Sequence, residues 1–318
     1  MKNTTHSVRR MALSFFTIAL ILTLTATTLR IFNLFFFFNG SLGYYVSGAL
    51  LPLLEWICLG ASVALLLILS LLWFRKQSVG YAEHTPLGVR VGALFGAAGF
   101  GLLLIRDVLS YVDALNSDAE WKTGIIPILL CLGAVAYFVL TAWNVRSEAF
   151  RLLTGFCVIL RLLTSLSNSY FNFLIPMNAP DKLMFQLGVL SAMLFLINEI
   201  RALVSKPRPV FYLFSAGIAL VFLSASSLPS ILAINQGILL DGSNLYCDFA
   251  LLGLFLYVLF RFLFFCLSPE IEEDTEETKK QTTDTDTSVE ENEGAAEAPD
   301  SLPSQEEDEP EHPNDSNE

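Results

Sequence analysis

Charged side chains inside otherwise apolar segments are the residues of this chain best placed to do chemistry. A charge at membrane depth costs about 3 kcal/mol even on lenient insertion scales, so it usually faces a partner or a polar cavity. The set holds three cations and three anions: Arg30, Arg106, Arg161, Glu55, Asp107 and Asp248. Because an unpaired buried charge is far more costly than a hydrogen-bonded pair, this balance predicts that the six side chains meet inside a helical bundle.

Arg161 is the most diagnostic member of the set. It lies near the middle of an apolar run, where its side chain is least able to reach either membrane surface. Hydroxyl and amide groups accumulate at the same depth or just outside it: Thr164, Ser165, Ser167, Asn168 and Ser169, and also Ser224, Ser226 and Ser227 before Pro229. A proline-kinked helix frees backbone carbonyls, which protein or water must cover. These features predict a polar pocket that opens toward the external side. The alternative is a buried network that only holds the helices in register.

Two pairs of charged residues carry a more specific expectation. Arg106 and Asp107 are adjacent and therefore about 100° apart around a helix, so each is expected to pair with a different helix. Glu199 and Arg261 lie nearer the opposite membrane surface, where interfacial anchoring explains most such residues, although an ion pair between these two is plausible.

The apolar runs lack the catalytic and metal-ligating residues that most enzyme sites require. All three histidines, His6, His84 and His312, lie in polar segments, so neither a histidine metal site nor a serine–histidine dyad can form at membrane depth. Asp107 and Asp248 could approach each other, but neighbouring arginines would keep both ionised, whereas an intramembrane aspartyl protease needs one carboxyl protonated. That carboxylate pair is the one enzyme interpretation left open. We otherwise predict no catalytic residue, no metal, no cofactor and no nucleic-acid partner.

Eight apolar segments must position these residues. The chain is 53% hydrophobic, which exceeds what a soluble core of 318 residues requires. A helix of about 20 apolar residues crosses the hydrocarbon layer of a bilayer and satisfies its own backbone groups. The segments read as Met11–Arg30, Val46–Phe74, Gly88–Tyr111, Gly124–Trp143, Phe150–Tyr170, Leu183–Val204, Val210–Ile234 and Tyr246–Leu267. The predicted fold is all-α: a polytopic helical bundle of about eight transmembrane helices in a lipid bilayer.

Small residues line one face of the third segment. Gly92, Gly96, Gly99 and Gly101 would let another helix approach closely, which predicts a packing face. Their spacing and their lack of a preceding strand do not fit a phosphate-binding loop.

Lys and Arg concentrate at alternate connections, which predicts the orientation in the membrane. The richer side holds Lys2, Arg9, Arg10, Arg75, Lys76, Arg90, Arg146, Arg151, Arg201, Lys206 and Arg208, and the poorer side holds Arg30, Lys122 and Lys182. We therefore predict a multi-pass plasma-membrane protein with both termini in the cytoplasm. The basic start and first apolar run also resemble a secretory signal, whose cleavage would leave seven spans. The length of that run and the lack of a clear cleavage site favour a retained anchor.

The end of the chain differs sharply from the rest. From Ser268 onward, 20 Asp or Glu residues face only Lys279 and Lys280, a net charge of −18, whereas the first 267 residues have 17 bases and 11 acids, or +6. A segment this acidic and poor in aromatics cannot bury enough apolar surface to fold. We predict a transmembrane domain at 1–267 and a disordered acidic cytoplasmic tail at 268–318. The tail is either a solvated segment without a specific partner or a site that recruits a basic protein.

Two functional hypotheses remain at the level of sequence. In the first, the protein binds or transports a small polar or charged solute through the external-facing pocket, with Arg161 as its central electrostatic group. In the second, it is a noncatalytic membrane scaffold or sensor in which the buried charges are structural and the acidic tail recruits basic partners.

Overall fold

The computed structural model describes residues 2–40, 42–75, 79–80, 86–116, 124–145, 147–173, 175–204, 208–239, 245–267 and 270–271. The predicted disorder of the tail lies outside these described residues, except for Glu270 and Ile271. Several of the loop cations used for the orientation, among them Lys76, Lys122, Arg146 and Lys206, also lie outside them.

Eight helices form within the described ranges, and each is long and apolar enough to span a membrane. They are α1 (Lys2–Phe36), α2 (Leu50–Phe74), α3 (Leu87–Asn116), α4 (Ile125–Ala142), α5 (Glu148–Phe171), α6 (Pro180–Val204), α7 (Pro209–Asn235) and α8 (Leu245–Leu267). The prediction of an all-α, eight-helix membrane bundle is confirmed. These helices belong to one compact unit, Met1–Glu273. The predicted domain boundary after residue 267 stays a prediction.

Four two-residue strands connect parts of the chain at the ends of the bundle. β1 (Phe38–Asn39) and β2 (Tyr44–Tyr45) form an antiparallel hairpin between α1 and α2. β3 (Val79–Gly80) pairs with β4 (Glu270–Ile271), which places the α2–α3 connection and the chain after α8 at the same face. We call this the inner face and the opposite one the outer face.

The helices α3 to α8 form a closed ring in chain order. Each packs against the next, and α8 returns to pack against α3. Helix α1 packs outside the ring against α7 and α8, and α2 packs against α1 and α7. Helix α7 is therefore surrounded by protein, and most of its side chains are buried. The ring gives its six helices access to a shared interior, where polar groups can meet.

Glycines make the closest approach in the ring, between α3 and α8. A Cβ atom added to Gly99 would lie 2.7 Å from the carbonyl oxygen of Phe249, and one added to Gly253 would lie 2.5 Å from that of Phe95. Gly101 has no atom within 4 Å of such a position. The small-residue face of α3 thus packs against α8 through Gly99, whereas Gly101 faces open space.

The main difference from the predicted segments is the length of α1. Its end lies at Phe36 rather than at Arg30, because no helix-breaking residue intervenes and because Arg30 is fully buried against partners from other helices. Arg30 is therefore inside the span and not at its end. The hairpin of β1 and β2 takes up the remaining connection to α2.

Candidate functional site

A polar cavity of about 170 Å³ lies near the outer face, inside the helix ring. We call it the outer cavity. Its walls come from α3, α5, α6, α7, α8 and the α5–α6 connection: Arg106, Arg161, Ser165, Asn168, Ser169, Asn172, Ile175, Asp181, Lys182, Phe185, Ser230, Cys247 and Asp248. The cavity lies at the end of α5 that follows Arg161, where the sequence predicts a polar pocket.

Arg161 is held in the cavity wall by one carboxylate and two hydroxyls. Its Nη2 donates to Oδ2 of Asp107 at 2.7 Å, and its Nη1 donates to Ser165 Oγ at 2.7 Å and to Thr164 Oγ1 at 3.2 Å. The residue is only 3% exposed. Its Nε is buried and has no hydrogen-bond partner among the described residues. The guanidinium is thus paired on one side and still has a donor on the other.

Asp107 joins α3 to α5 through this ion pair, as expected of a carboxylate that pairs with a different helix. The same expectation is wrong for Arg106, whose Nη1 lies 3.8 Å from Oδ1 of its neighbour Asp107. The Arg106 side chain is 32% exposed, so water can solvate it and it does not need a partner from another helix. Asp248, in the first turn of α8, is buried in the part of the cavity wall that α8 supplies.

Arg30 and Glu55 form a separate cluster beside the outer cavity, and neither lines it. Both side chains are fully buried, with Nη1 of Arg30 3.2 Å from Oε1 of Glu55. Asn33 Nδ2 and Tyr45 Oη donate to Oε2 of Glu55 at 2.5 and 3.1 Å, and Arg30 also donates to Tyr45. Burial raises the pKa of Tyr45, so its hydroxyl stays protonated. We call these four residues the Arg30 cluster. The six predicted residues therefore divide between two sites.

Asp181 connects the Arg30 cluster to the outer cavity. Its Oδ1 accepts from Nη2 of Arg30 at 3.3 Å and from Ser230 Oγ at 3.2 Å, and the residue also lines the cavity. The predicted segment begins at Leu183, which leaves Asp181 and Lys182 in the external connection before it. Pro180 carried the signal that was missed, because proline favours the first helical position and so moves the start of α6 back to include both residues.

Lys182 fixes the α5–α6 connection over the cavity. Its Nζ donates to the carbonyl oxygens of Tyr170, Asn172 and Ile175 at 3.4, 2.8 and 3.2 Å. Farther along, Tyr44 Oη donates to Oδ1 of Asn178 at 2.8 Å and ties the connection to the β1–β2 hairpin. The connection is therefore a fixed part of the cavity wall.

The sequence suggested that the serines of α7 before Pro229 contribute to the polar pocket, but Ser224 and Ser227 do not. Ser224 shares a hydrogen bond of 2.7 Å with Thr27 of α1, and Ser227 donates to its own helix at Leu223 O. Neither lines the outer cavity, which α7 reaches through Ser230. The helix continues through Pro229 to Asn235, so the serines mainly serve the packing of α7 inside the bundle.

A third polar group lies near the inner face, and we call it the Glu199 cluster. Glu199 of α6 is fully buried and accepts from Arg261 Nε of α8 at 2.8 Å. Tyr212 Oη donates to its Oε2 at 2.7 Å and Tyr257 Oη to its Oε1 at 3.2 Å. The ion pair that the sequence made plausible between Glu199 and Arg261 is therefore present. The prediction that these two residues are interfacial anchors is wrong, because both are buried inside the bundle. The tyrosines were missed because single aromatics in an apolar run carry no distinguishing pattern.

Metal ligation finds no support in the described part of the chain. No group of three or more His, Cys, Asp and Glu side chains there is placed to hold an ion. The cysteines at 58, 131, 157, 247 and 266 are all free thiols.

The chain matches no known protein family, no curated protein and no solved structure. Its class is defined by the fold alone: a polytopic membrane protein whose helices enclose polar groups in a ring.

Proposed function

We propose that this protein binds, and in the bilayer transports, a small polar or charged solute that enters the outer cavity from the external side of the plasma membrane. Both termini are cytoplasmic in this proposal, and the role is noncatalytic. The observation that carries the proposal is the polar cavity of about 170 Å³ near the outer face, whose walls hold Arg161 and charged groups of both signs.

The cavity limits the size and the chemistry of the solute. A cavity of about 150 Å³ holds a single molecule of benzene, so the volume of about 170 Å³ suits a solute of similar size. Arg106, Arg161 and Lys182 supply positive charge to the walls, and Asp181 and Asp248 supply negative charge. Walls of both signs favour a solute with an anionic or hydrogen-bond-accepting group for Arg161 and a second polar group.

A purely structural charge network is the competing explanation. Such networks stabilise a fold when every member is satisfied, and a buried donor without an acceptor is costly. Each of the two arginines, Arg30 and Arg161, has a buried Nε without a described partner, but Arg161 lines the outer cavity whereas neither Arg30 nor Glu55 does. We therefore assign the structural role to Arg30 and Glu55 and the binding role to the residues of the outer cavity.

Thermal unfolding in lipid nanodiscs tests the binding role. We expect one class in a panel of small anionic, zwitterionic and cationic solutes to raise the Tm of the wild-type protein, since a ligand that binds only the native state stabilises it. Ser169→Leu should abolish this rise by filling the cavity, and Arg161→Gln should do so by removing the central donor. Ser167→Leu, two residues away and outside the cavity lining, is the matched control.

The control separates binding from general destabilisation. The Ser167→Leu protein should keep the solute response of the wild type, whereas the Ser169→Leu protein should fold and lose it. A wild-type protein that no solute stabilises would overturn the proposal, as would equal responses of the two leucine variants.

The acidic tail favours a second candidate, in which the protein recruits basic partners at the cytoplasmic side. Its net charge of −18 is the supporting observation. We expect a chain truncated after Glu273 to keep the wild-type Tm and solute response, because the helices and the β3–β4 pair remain. Pull-downs with the full-length and truncated proteins measure the partner. Identical sets of captured proteins contradict recruitment by the tail.

A further inference from the structure

Two charged side chains in the wall of the outer cavity are partly exposed, and they carry opposite signs. The Arg106 side chain of α3 is 32% exposed, and the Asp181 side chain of α6 is 28% exposed. The other charged residues of the lining are buried: Arg161, Lys182 and Asp248. A solute in the cavity therefore meets one accessible cation and one accessible anion.

The guanidinium of Arg106 keeps hydrogen-bond donors for a solute. Its Nη1 lies 3.8 Å from Oδ1 of Asp107, which is too far for a hydrogen bond. Asp107 instead accepts from Nη2 of Arg161 at 2.7 Å. Arg106 makes no hydrogen bond within the part of the chain that the structure describes. Two arginines thus approach one carboxylate, and the more exposed of them is the one without a close partner.

Asp181 keeps one carboxylate oxygen for a solute. Its Oδ1 accepts from Nη2 of Arg30 at 3.3 Å and from Oγ of Ser230 at 3.2 Å. Both bonds use the same oxygen, so Oδ2 has no hydrogen-bond partner among the described residues. Arg30 and Ser230 therefore fix the orientation of this carboxylate while its second oxygen can accept from a cationic group.

Arg106 and Asp181 lie on helices that are not neighbours in the ring. Helices α4 and α5 separate α3 from α6 in one direction, and α7 and α8 separate them in the other. Both residues are described, and they form no ion pair with each other. Because both line the same cavity, each can contact a different end of one solute.

The charges around the outer cavity sum to zero. The charged residues of the lining, counted with Asp107, which approaches two of them, are three cations and three anions among the described residues: Arg106, Arg161, Lys182, Asp107, Asp181 and Asp248. A solute with a net charge would leave one charge uncompensated in a site partly removed from water, which is costly. A zwitterion adds no net charge.

We propose that Arg106 and Asp181 select a small zwitterion, whose carboxylate contacts Arg106 and whose ammonium group contacts Asp181. This inference rests on the binding function proposed for the outer cavity and names the class of its solute. Both contacts are charge-assisted hydrogen bonds, which are stronger than those between neutral groups. The cavity volume suits a solute of about six non-hydrogen atoms, as many as benzene has, and alanine is a zwitterion of this size.

The experiment compares solutes of matched shape and different charge. Thermal unfolding of the full chain is measured in nanodiscs of zwitterionic lipid, at neutral pH and constant ionic strength. Alanine is the zwitterion, and β-alanine places its two charges farther apart. Isobutyrate has the shape of alanine with a methyl group in place of the ammonium. Alaninamide has an uncharged amide in place of the carboxylate.

We expect alanine or β-alanine to raise the Tm of the wild-type protein in a saturable way. The apparent affinities of isobutyrate and alaninamide should be about tenfold lower or less, because each of these analogues loses one charge-assisted contact.

Two variants test which residue contacts which end of the solute. Arg106→Gln should weaken binding of the zwitterion about tenfold and leave that of alaninamide unchanged, because alaninamide has no carboxylate to lose a partner. Asp181→Asn should weaken binding of the zwitterion and leave that of isobutyrate unchanged. The matched controls, Arg201→Gln and Asp113→Asn, lie at exposed positions outside the cavity lining and should keep the wild-type affinities.

The outcomes separate this inference from the proposed function. A wild-type protein that isobutyrate, alaninamide or another charged solute stabilises at least as strongly as the zwitterions overturns the inference and leaves the function in place. A protein that no solute stabilises overturns both. Failure of Arg106→Gln to fold, or an equal loss of alanine and alaninamide binding in it, would assign Arg106 a structural role and overturn the inference. If Asp181→Asn does not fold, the wild-type comparison and Arg106→Gln decide the result.

Discussion

Gly253→Ala should be among the most destabilising single-methyl substitutions in this protein. The added Cβ would lie 2.5 Å from the carbonyl oxygen of Phe95, and this backbone atom cannot rotate away. Helices α3 and α8 would have to separate where they close the ring. Overpacking of this kind costs about 1–3 kcal/mol, which exceeds the gain of about 1 kcal/mol in helix propensity when alanine replaces glycine. The change in Tm in nanodiscs measures the result.

Gly101→Ala is the matched control on α3. No atom lies within 4 Å of its added Cβ, so only the gain in helix propensity remains. We expect the Gly101→Ala protein to be as stable as the wild type or slightly more stable. Gly99→Ala, whose Cβ would meet the carbonyl of Phe249 at 2.7 Å, should behave like Gly253→Ala. Equal Tm values for all three variants would contradict the close approach of α3 and α8.

Glu55→Gln is expected to have a comparable or larger effect through charge. It removes the negative partner of Arg30 while both side chains remain fully buried, so that, among the described residues, Arg30 retains only the more exposed Asp181 as an anionic partner. Breaking a buried pair by removing one partner typically costs about 3–5 kcal/mol. We expect a large fall in Tm without any change in which class of solute stabilises the protein, because Glu55 does not line the outer cavity.

Two variants check that the effect comes from the buried pair. Asp113→Asn removes a carboxylate from an exposed position near the end of α3 and should leave the Tm close to that of the wild type. The double variant Arg30→Met with Glu55→Leu replaces both charges with apolar side chains. It should be more stable than Glu55→Gln, because well-packed apolar residues can substitute for a buried ion pair. A double variant less stable than the single one would show that Arg30 has a further role.

The sequence alone predicted the site in outline only. Charge balance among residues at membrane depth placed Arg161, Asp107 and Asp248 near one another, since each of these charges needs compensation within a low-dielectric interior. Charge balance could not separate these three residues from Arg30 and Glu55. It depends on which charges lie at membrane depth and not on which helices are neighbours at that depth. It missed Asp181 and Lys182, which depend on where α6 begins, and the tyrosines that hydrogen-bond Glu199.

The number and type of the helices are determined by the sequence, because the need to cross a hydrocarbon layer and to satisfy backbone groups acts on each apolar segment separately. Which side chains meet is decided only by the tertiary structure. The 2.7 Å pair of Asp107 with Arg161 requires α3 and α5 to face the same interior, although α4 lies between them in the chain. The rotation of each helix and the identity of its neighbours in the ring depend on packing with all the other helices. A segment that is apolar on every side has no polar face that would indicate either of them.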